Sequence, residues 1–139
     1  MFSEESTMAK TVLEYRRSAA VAALGLPFSD SVRAGDLLFT SGQLGNRPGT
    51  LELVPGGIGP ESTQAMENLK AVLEAHGSSL DRVVKCTIFL ADIAEWPAFN
   101  QVYVQYFHGN LPARSALAAS GLALGARVEL EAVAAFGAS

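Results

Sequence analysis

The strongest constraint on this chain is that its hydrophobic period changes repeatedly. Met66, Leu69, Val72, Leu73 and His76 recur at helical spacing, while Glu67, Lys70 and Glu74 fall elsewhere on the turn. Val83 to Leu90 is then a run rich in β-branched residues, which predicts a largely buried strand. Helical spacing returns with Phe99, Val102, Tyr103, Tyr106 and Phe107. Near the end, Val128, Leu130 and Ala132 alternate with Glu129, Glu131 and Val133 at the strand period of two. A chain patterned in this way has to bury helix stripes against a sheet.

Turn chemistry sets the boundaries. Gly59-Pro60-Glu61 opens the first helix, with Pro60 suited to the first helical position and Glu61 to the positive end of the dipole, and Gly77 ends it. The second begins near Trp96-Pro97 and stops by Gly109 and Pro112. Asp30 to Arg33 and Leu37 to Gly42 flank Ala34-Gly35-Asp36 and read as a hairpin. Gly45 to Gly59 is loop, and a loop of that length in a compact domain is more often functional or mobile than idle. Ala113 to Ala119 and Arg127 to Phe136 are further strands. The expected fold is α+β, a mixed sheet covered on one face by two helices. With no third helix in this reading, the uncovered face predicts assembly into a closed oligomer.

The chain has 139 residues, of which 49% are hydrophobic and 17% charged, which suits one globular domain over 1–139. Residues 1–10 are expected to be a poorly ordered extension, with Met8 as a plausible second start. Cys86 is the single cysteine, so a reducing, cytoplasmic setting is the simplest reading. A net charge of −4 gives no general attraction for phosphate backbones and disfavours nucleic acid. The longest apolar stretch, Ala19 to Phe28, is about half of what a bilayer crossing needs, so no membrane association is expected. Two isolated histidines, His76 and His108, and one cysteine offer no metal-ligand spacing, so neither metal nor cofactor is expected. Cys86 sits mid-strand as a core thiol, and His76 falls where a helix-end role suits it better than catalysis. Ser41-Gly42 lacks the flanking glycines of a nucleophile elbow and serves better as pocket wall.

Thr40-Ser41-Gly42-Gln43, Glu67-Asn68-Leu69-Lys70-Ala71-Val72-Leu73, Val83-Val84-Lys85, Tyr103 to Phe107, Pro112-Ala113-Arg114-Ser115 and Val128 to Ala134 together, in order and spacing, resemble the RidA (YjgF, or L-PSP) family. The resemblance runs from about Pro27 to Phe136 and implies a chorismate-mutase-like fold, a homotrimer and ligand clefts between subunits. RidA hydrolyses reactive 2-imino or enamino acids to 2-oxo acids and ammonia without a cofactor. By this resemblance Arg114 anchors the ligand carboxylate, Glu129 stands near the attacked carbon, and Asn100, Ser41 and Gly42 form a polar wall. Phe28 stands where RidA has a tyrosine, Ala116 where members often have a cysteine, and Gly121 to Gly125 replaces an Arg-Leu-Pro stretch.

Taken without the resemblance, Arg114 is balanced between surface residue and ligand anchor, and Glu129 reads as a solvated strand residue like Glu131. Asn100 is either solvated or in a cleft. Two functions from different classes remain. One is an imine deaminase with Glu129 and Arg114 as catalytic pair and Ser41, Gly42, Asn100, Phe28 and Ala116 as substrate contacts. The other is a regulatory or binding protein that holds a small carboxylate without turning it over. A ribonuclease or translation inhibitor ranks third, because the chain is acidic and lacks a basic-aromatic stripe.

Overall fold

The computed structural model describes residues 10–138. The strands are β1 (Leu13–Arg16), β2 (Ser31–Ala34), β3 (Leu37–Thr40), β4 (Gln43–Leu44), β5 (Val83–Leu90), β6 (Ala113–Ala118) and β7 (Val128–Ala135), and the helices are α1 (Ala19–Ala23), α2 (Ile58–Ala75) and α3 (Trp96–Tyr103). The strands form one mixed sheet of order β1-β2-β3-β7-β5-β6, with β4 also on β7. Among the described residues the β5–β6 pair alone is parallel, and the other strand pairings are antiparallel. β7 is central, since it pairs with β3, β4 and β5.

The core lies between the sheet and α2 and α3. Cys86, Ile88 and Leu90 of β5 and Val128, Leu130 and Ala132 of β7 face Met66, Leu69 and Leu73 of α2 and Phe99 and Tyr103 of α3, all buried. Tyr106 Oη donates to Glu67 Oε2 at 2.8 Å and ties the turn after α3 to α2. Glu129, Glu131 and Val133 point to the opposite face, as the alternation predicts. That face carries Leu37 and Phe39, 40% and 43% exposed, and no helix among the described residues covers it.

The sequence reading needs correction at four places. α2 starts at Ile58, so Pro60 is its third residue, and Glu61 is buried with Oε1 accepting from the Arg127 N–H at 2.8 Å, anchoring the approach to β7. α3 stops at Tyr103 and continues as one 3-10 turn, Val104–Tyr106. There is a third helix, α1, but it is five residues long, buries none of them, and lies beside α2 rather than over the open sheet face. β1 adds an edge strand that the sequence reading lacked. It is held by β2 and by Glu14, whose Oε1 lies 3.3 Å from Arg33 Nη1 and 3.7 Å from His76 Nε2. His76 caps α2 as its position suggests, and its Nδ1 lies 2.7 Å from Ser31 Oγ. The expected disordered extension falls, for residues 1–9, outside the described residues. No helix among the described residues is long and apolar enough to cross a membrane.

Candidate functional site

The path from β3 to β4 positions the first half of the site. Phe39 pairs with Val133 and Gln43 with Leu130, so the three residues Thr40, Ser41 and Gly42 face only Glu131 and Ala132. This is a β-bulge, a device that re-aims side chains near sites. Thr40 Oγ1 accepts the Ala132 N–H at 3.0 Å, replacing the ladder bond that the bulge breaks. Ser41 Oγ donates to the Ser29 carbonyl at 2.5 Å and so fixes the segment that carries Phe28. Gly42 has to be glycine because the Glu129 side chain lies against it: a Cβ there would overlap Oε2 and stand 2.8 Å from Cδ. Gly42 and Glu129 are thus in contact, and Ser41 ties them to the segment of Phe28 and Ser29.

Glu129 is half-buried, and burial first, then the like charge of Glu131 on the same strand face, raises its pKa above the ordinary carboxylate value. Such a carboxylate binds a proton more readily than a solvated one, which suits general-base work near neutral pH.

The second half sits on the other face of the sheet. Arg114 is in register with Cys86 and Ala116 with Ile88, residues buried under the helices. Glu129 is in register with Phe89, on the open face. Laterally paired residues share a face, so one chain holds Arg114 and Glu129 on opposite sides of its own sheet.

The Arg114 guanidinium lies 4.8 Å from the Tyr103 ring centroid and 5.9 Å from those of Phe99 and Trp96. Among the described residues no carboxylate pairs with it, so aromatic faces stabilise the charge and leave the planar fork available. Asn100 follows Phe99 on the same helix, and its Oδ1 and the Tyr103 hydroxyl are buried without a hydrogen-bond partner among the described residues. Buried polar atoms normally have partners, so Asn100 Oδ1 is available to an incoming polar group, while the Tyr103 hydroxyl faces the Cys86 thiol. Ala116 adds only a small apolar surface packed on the core.

The sequence reading missed the aromatic seat of Arg114, although Phe99 and Tyr103 at helical spacing were the signal for it. Trp96 completes that seat from the first turn of α3. Cys86 is a core thiol as expected, with burial pushing its pKa up to about 11. Among the described residues no His, Cys, Asp and Glu group could hold a metal ion.

A family model described as Endoribonuclease L-PSP matches residues 18–136. The chain is 44% identical over 117 residues to a rat (Rattus norvegicus) protein named 2-iminobutanoate/2-iminopropanoate deaminase, covering 84% of this chain and 85% of that one. Among solved structures, yeast YEO7 superposes with a TM-score of 0.78 at 42% identity, over 92% of this chain and 98% of that one. E. coli TdcF, solved with bound serine, superposes with a TM-score of 0.75 at 29% identity, over 91% of this chain and 98% of that one.

Proposed function

The chain belongs to the L-PSP (RidA/YjgF) family, and from that membership we propose that it is an imine deaminase: it hydrolyses 2-imino or enamino acids to 2-oxo acids and ammonia in a cleft that two copies build together. The observation that carries this reading is the placement of Arg114 and Glu129 on opposite faces of one sheet. A carboxylate anchor and a base can meet only if Arg114 of one copy approaches Glu129 of another. A closed ring, a homotrimer, repeats that contact at every junction and covers the open sheet face. The deaminase name of the rat relative supports the chemistry, and serine bound to TdcF supports a small amino-acid-like carboxylate as the ligand class.

In this cleft the Arg114 fork holds the substrate carboxylate through two parallel N–H bonds, with Asn100 beside it. Glu129 takes a proton from water as the water oxygen bonds to the imine carbon, giving a carbinolamine. Glu129 passes that proton to nitrogen and then takes the hydroxyl proton as the C=O forms, the C–N bond breaks and ammonia leaves. An iminium is already electrophilic, so positioning and one base suffice. Phe28 brings a ring without a hydroxyl, and the Ser41 hydroxyl is already donated to Ser29. These features favour, as a second reading, binding of a carboxylate without turnover.

One experiment separates the readings and tests the shared cleft. Arg114→Ala and Glu129→Gln, each purified and each inactive, are unfolded together and refolded as a mixture, and ammonia release is followed from imines generated in situ by an amino-acid oxidase. Wild type should accelerate release, and an equal mixture should recover about a quarter of that rate, because a site is intact only when each neighbour supplies its unmodified half. Mixed oligomers without recovery would exclude the two-copy cleft. Absence of acceleration by the wild type would leave the binding reading.

A further inference from the structure

A cavity of about 400 Å³ opens within one chain between α1, the loop after β4, the flank of α2 and the turn before β7. Neither Arg114 nor Glu129 lines it, so it stands apart from the deaminase cleft. Four large apolar side chains of its lining, Leu24, Phe28, Leu51 and Leu124, are 37% to 48% exposed. Exposed apolar surface gathered around a concavity of this size is the mark of a ligand site.

One of these side chains is held in place against its backbone preference. The Ala126 N–H donates to the Ala123 carbonyl at 3.0 Å, and the two residues between them, Leu124 and Gly125, have φ of 61° and 70°. Two left-handed residues in succession make the type I′ pattern, which glycine, asparagine and aspartate adopt readily and leucine does not. Leu124 is the one non-glycine residue with positive φ among the described residues. The strain accompanies an apolar side chain in the cavity wall, where asparagine would have served the turn better.

The lining also sets the chemistry of an occupant. Among the described residues Asp30 is the only charged group in the wall, so no cation is there to hold a carboxylate or a phosphate. Asp30 accepts from the Ser18 N–H at 2.6 Å and from the Ser18 hydroxyl at 3.1 Å. Asn68 Nδ2 donates to the Leu44 and Asn46 carbonyls at 2.9 Å each, and Thr50 Oγ1 to the Arg47 carbonyl at 2.9 Å. These groups are engaged with their own chain, so an anionic occupant would give up water without gaining partners. We propose that this cavity is a second ligand site, separate from the catalytic cleft, which takes an uncharged, apolar small molecule and not the carboxylate substrate.

The test uses two dyes that brighten on leaving water: uncharged N-phenyl-1-naphthylamine, and 8-anilinonaphthalene-1-sulfonate, the same ring skeleton with a negative charge. Titrated into the full, assembled protein, the uncharged dye should saturate at one per chain and bind roughly tenfold or more tightly than the sulfonate. Excess 2-oxobutanoate should not displace it. Leu124→Asn suits the left-handed turn and removes the apolar wall, so Tm should hold or rise while affinity for the uncharged dye falls about tenfold. Ala71→Trp, on the exposed flank of α2, fills the space from another wall and should abolish binding even if Leu124→Asn does not fold. No saturable binding, an affinity that the folded variants leave unchanged, or displacement by the 2-oxo acid would overturn the second site. Equal affinities for the two dyes would overturn the ligand class. Binding that emerges only on dilution, as copies separate, would overturn the proposal and give the cavity to a neighbouring copy.

Discussion

Glu129 and Arg114 answer to different physical terms, so they should fail differently. Glu129→Gln keeps the volume against Gly42 and removes the base, and imine hydrolysis should drop by roughly two to four powers of ten while 2-oxo acid binding persists in calorimetry. The acidic limb of the rate profile follows from the same group. Its pKa is raised, so the active carboxylate form is lost on acidification at a higher pH than for an ordinary glutamate. Glu131 contributes to that rise, so Glu131→Gln should move the limb to lower pH; a limb that stays in place would assign the titration to another group. Stability carries the matching sign. A raised folded-state pKa gives stability that is full below the unfolded pKa and is lost as pH climbs through the folded value, so Glu129→Gln should raise Tm at neutral pH and not in acid. Arg114→Lys keeps a charge but loses both the fork and the flat stack on Tyr103, and should weaken 2-oxo acid affinity by about 1.5 to 3 kcal/mol. Unchanged affinity in Arg114→Ala would reject the anchor outright.

Among the elements, those that bury one face and expose the other were legible in the sequence. The α2 stripe from Met66 to Leu73, the β-branched run of β5 and the alternation of β7 stand where their patterns place them, within a residue or two at the ends. α1 was not legible because none of its residues is buried, and β1 because its alternation, Leu13-Glu14-Tyr15-Arg16, runs for only four residues and leaves Leu13 and Tyr15 56% and 70% exposed. β4 is only two residues long, and the bulge before it exists in the pairing with β7, which no local pattern encodes. The candidate residues could be named from the sequence, yet the separation of Arg114 from Glu129 needed the parity of two strands read against a third. The cavity between α1, the loop after β4 and the flank of α2 brings together Val21, Leu51 and Leu124, which sequence distance keeps apart. Its outer wall hangs on Asn68, whose amide bonds two loop carbonyls. Asn68→Ala should destabilise the fold by about 1 to 3 kcal/mol and speed amide exchange in residues 44–54 more than in β5. Equal acceleration in both segments would show that the loop does not depend on this contact.

For the molecule as a whole, the uncovered sheet face with Leu37 and Phe39 predicts a stable trimer in sedimentation equilibrium at micromolar concentration, and a monomer there would contradict the shared cleft. A net charge of −4 also predicts no sub-micromolar RNA affinity at physiological salt, despite the endoribonuclease description of the family model. Tight binding with a steep salt slope would reverse that ranking. The central place of β7 bears on how the chain is made. Translation delivers β1 to β3 and then β5 and β6 long before the strand that joins them, and until residues 128–135 emerge the two half-sheets present unpaired edges to each other and to neighbouring nascent chains. A ribosome stalled before residue 128 emerges therefore presents β1 to β6 without the strand that makes them one sheet, the state in which protease sensitivity and chaperone demand are greatest.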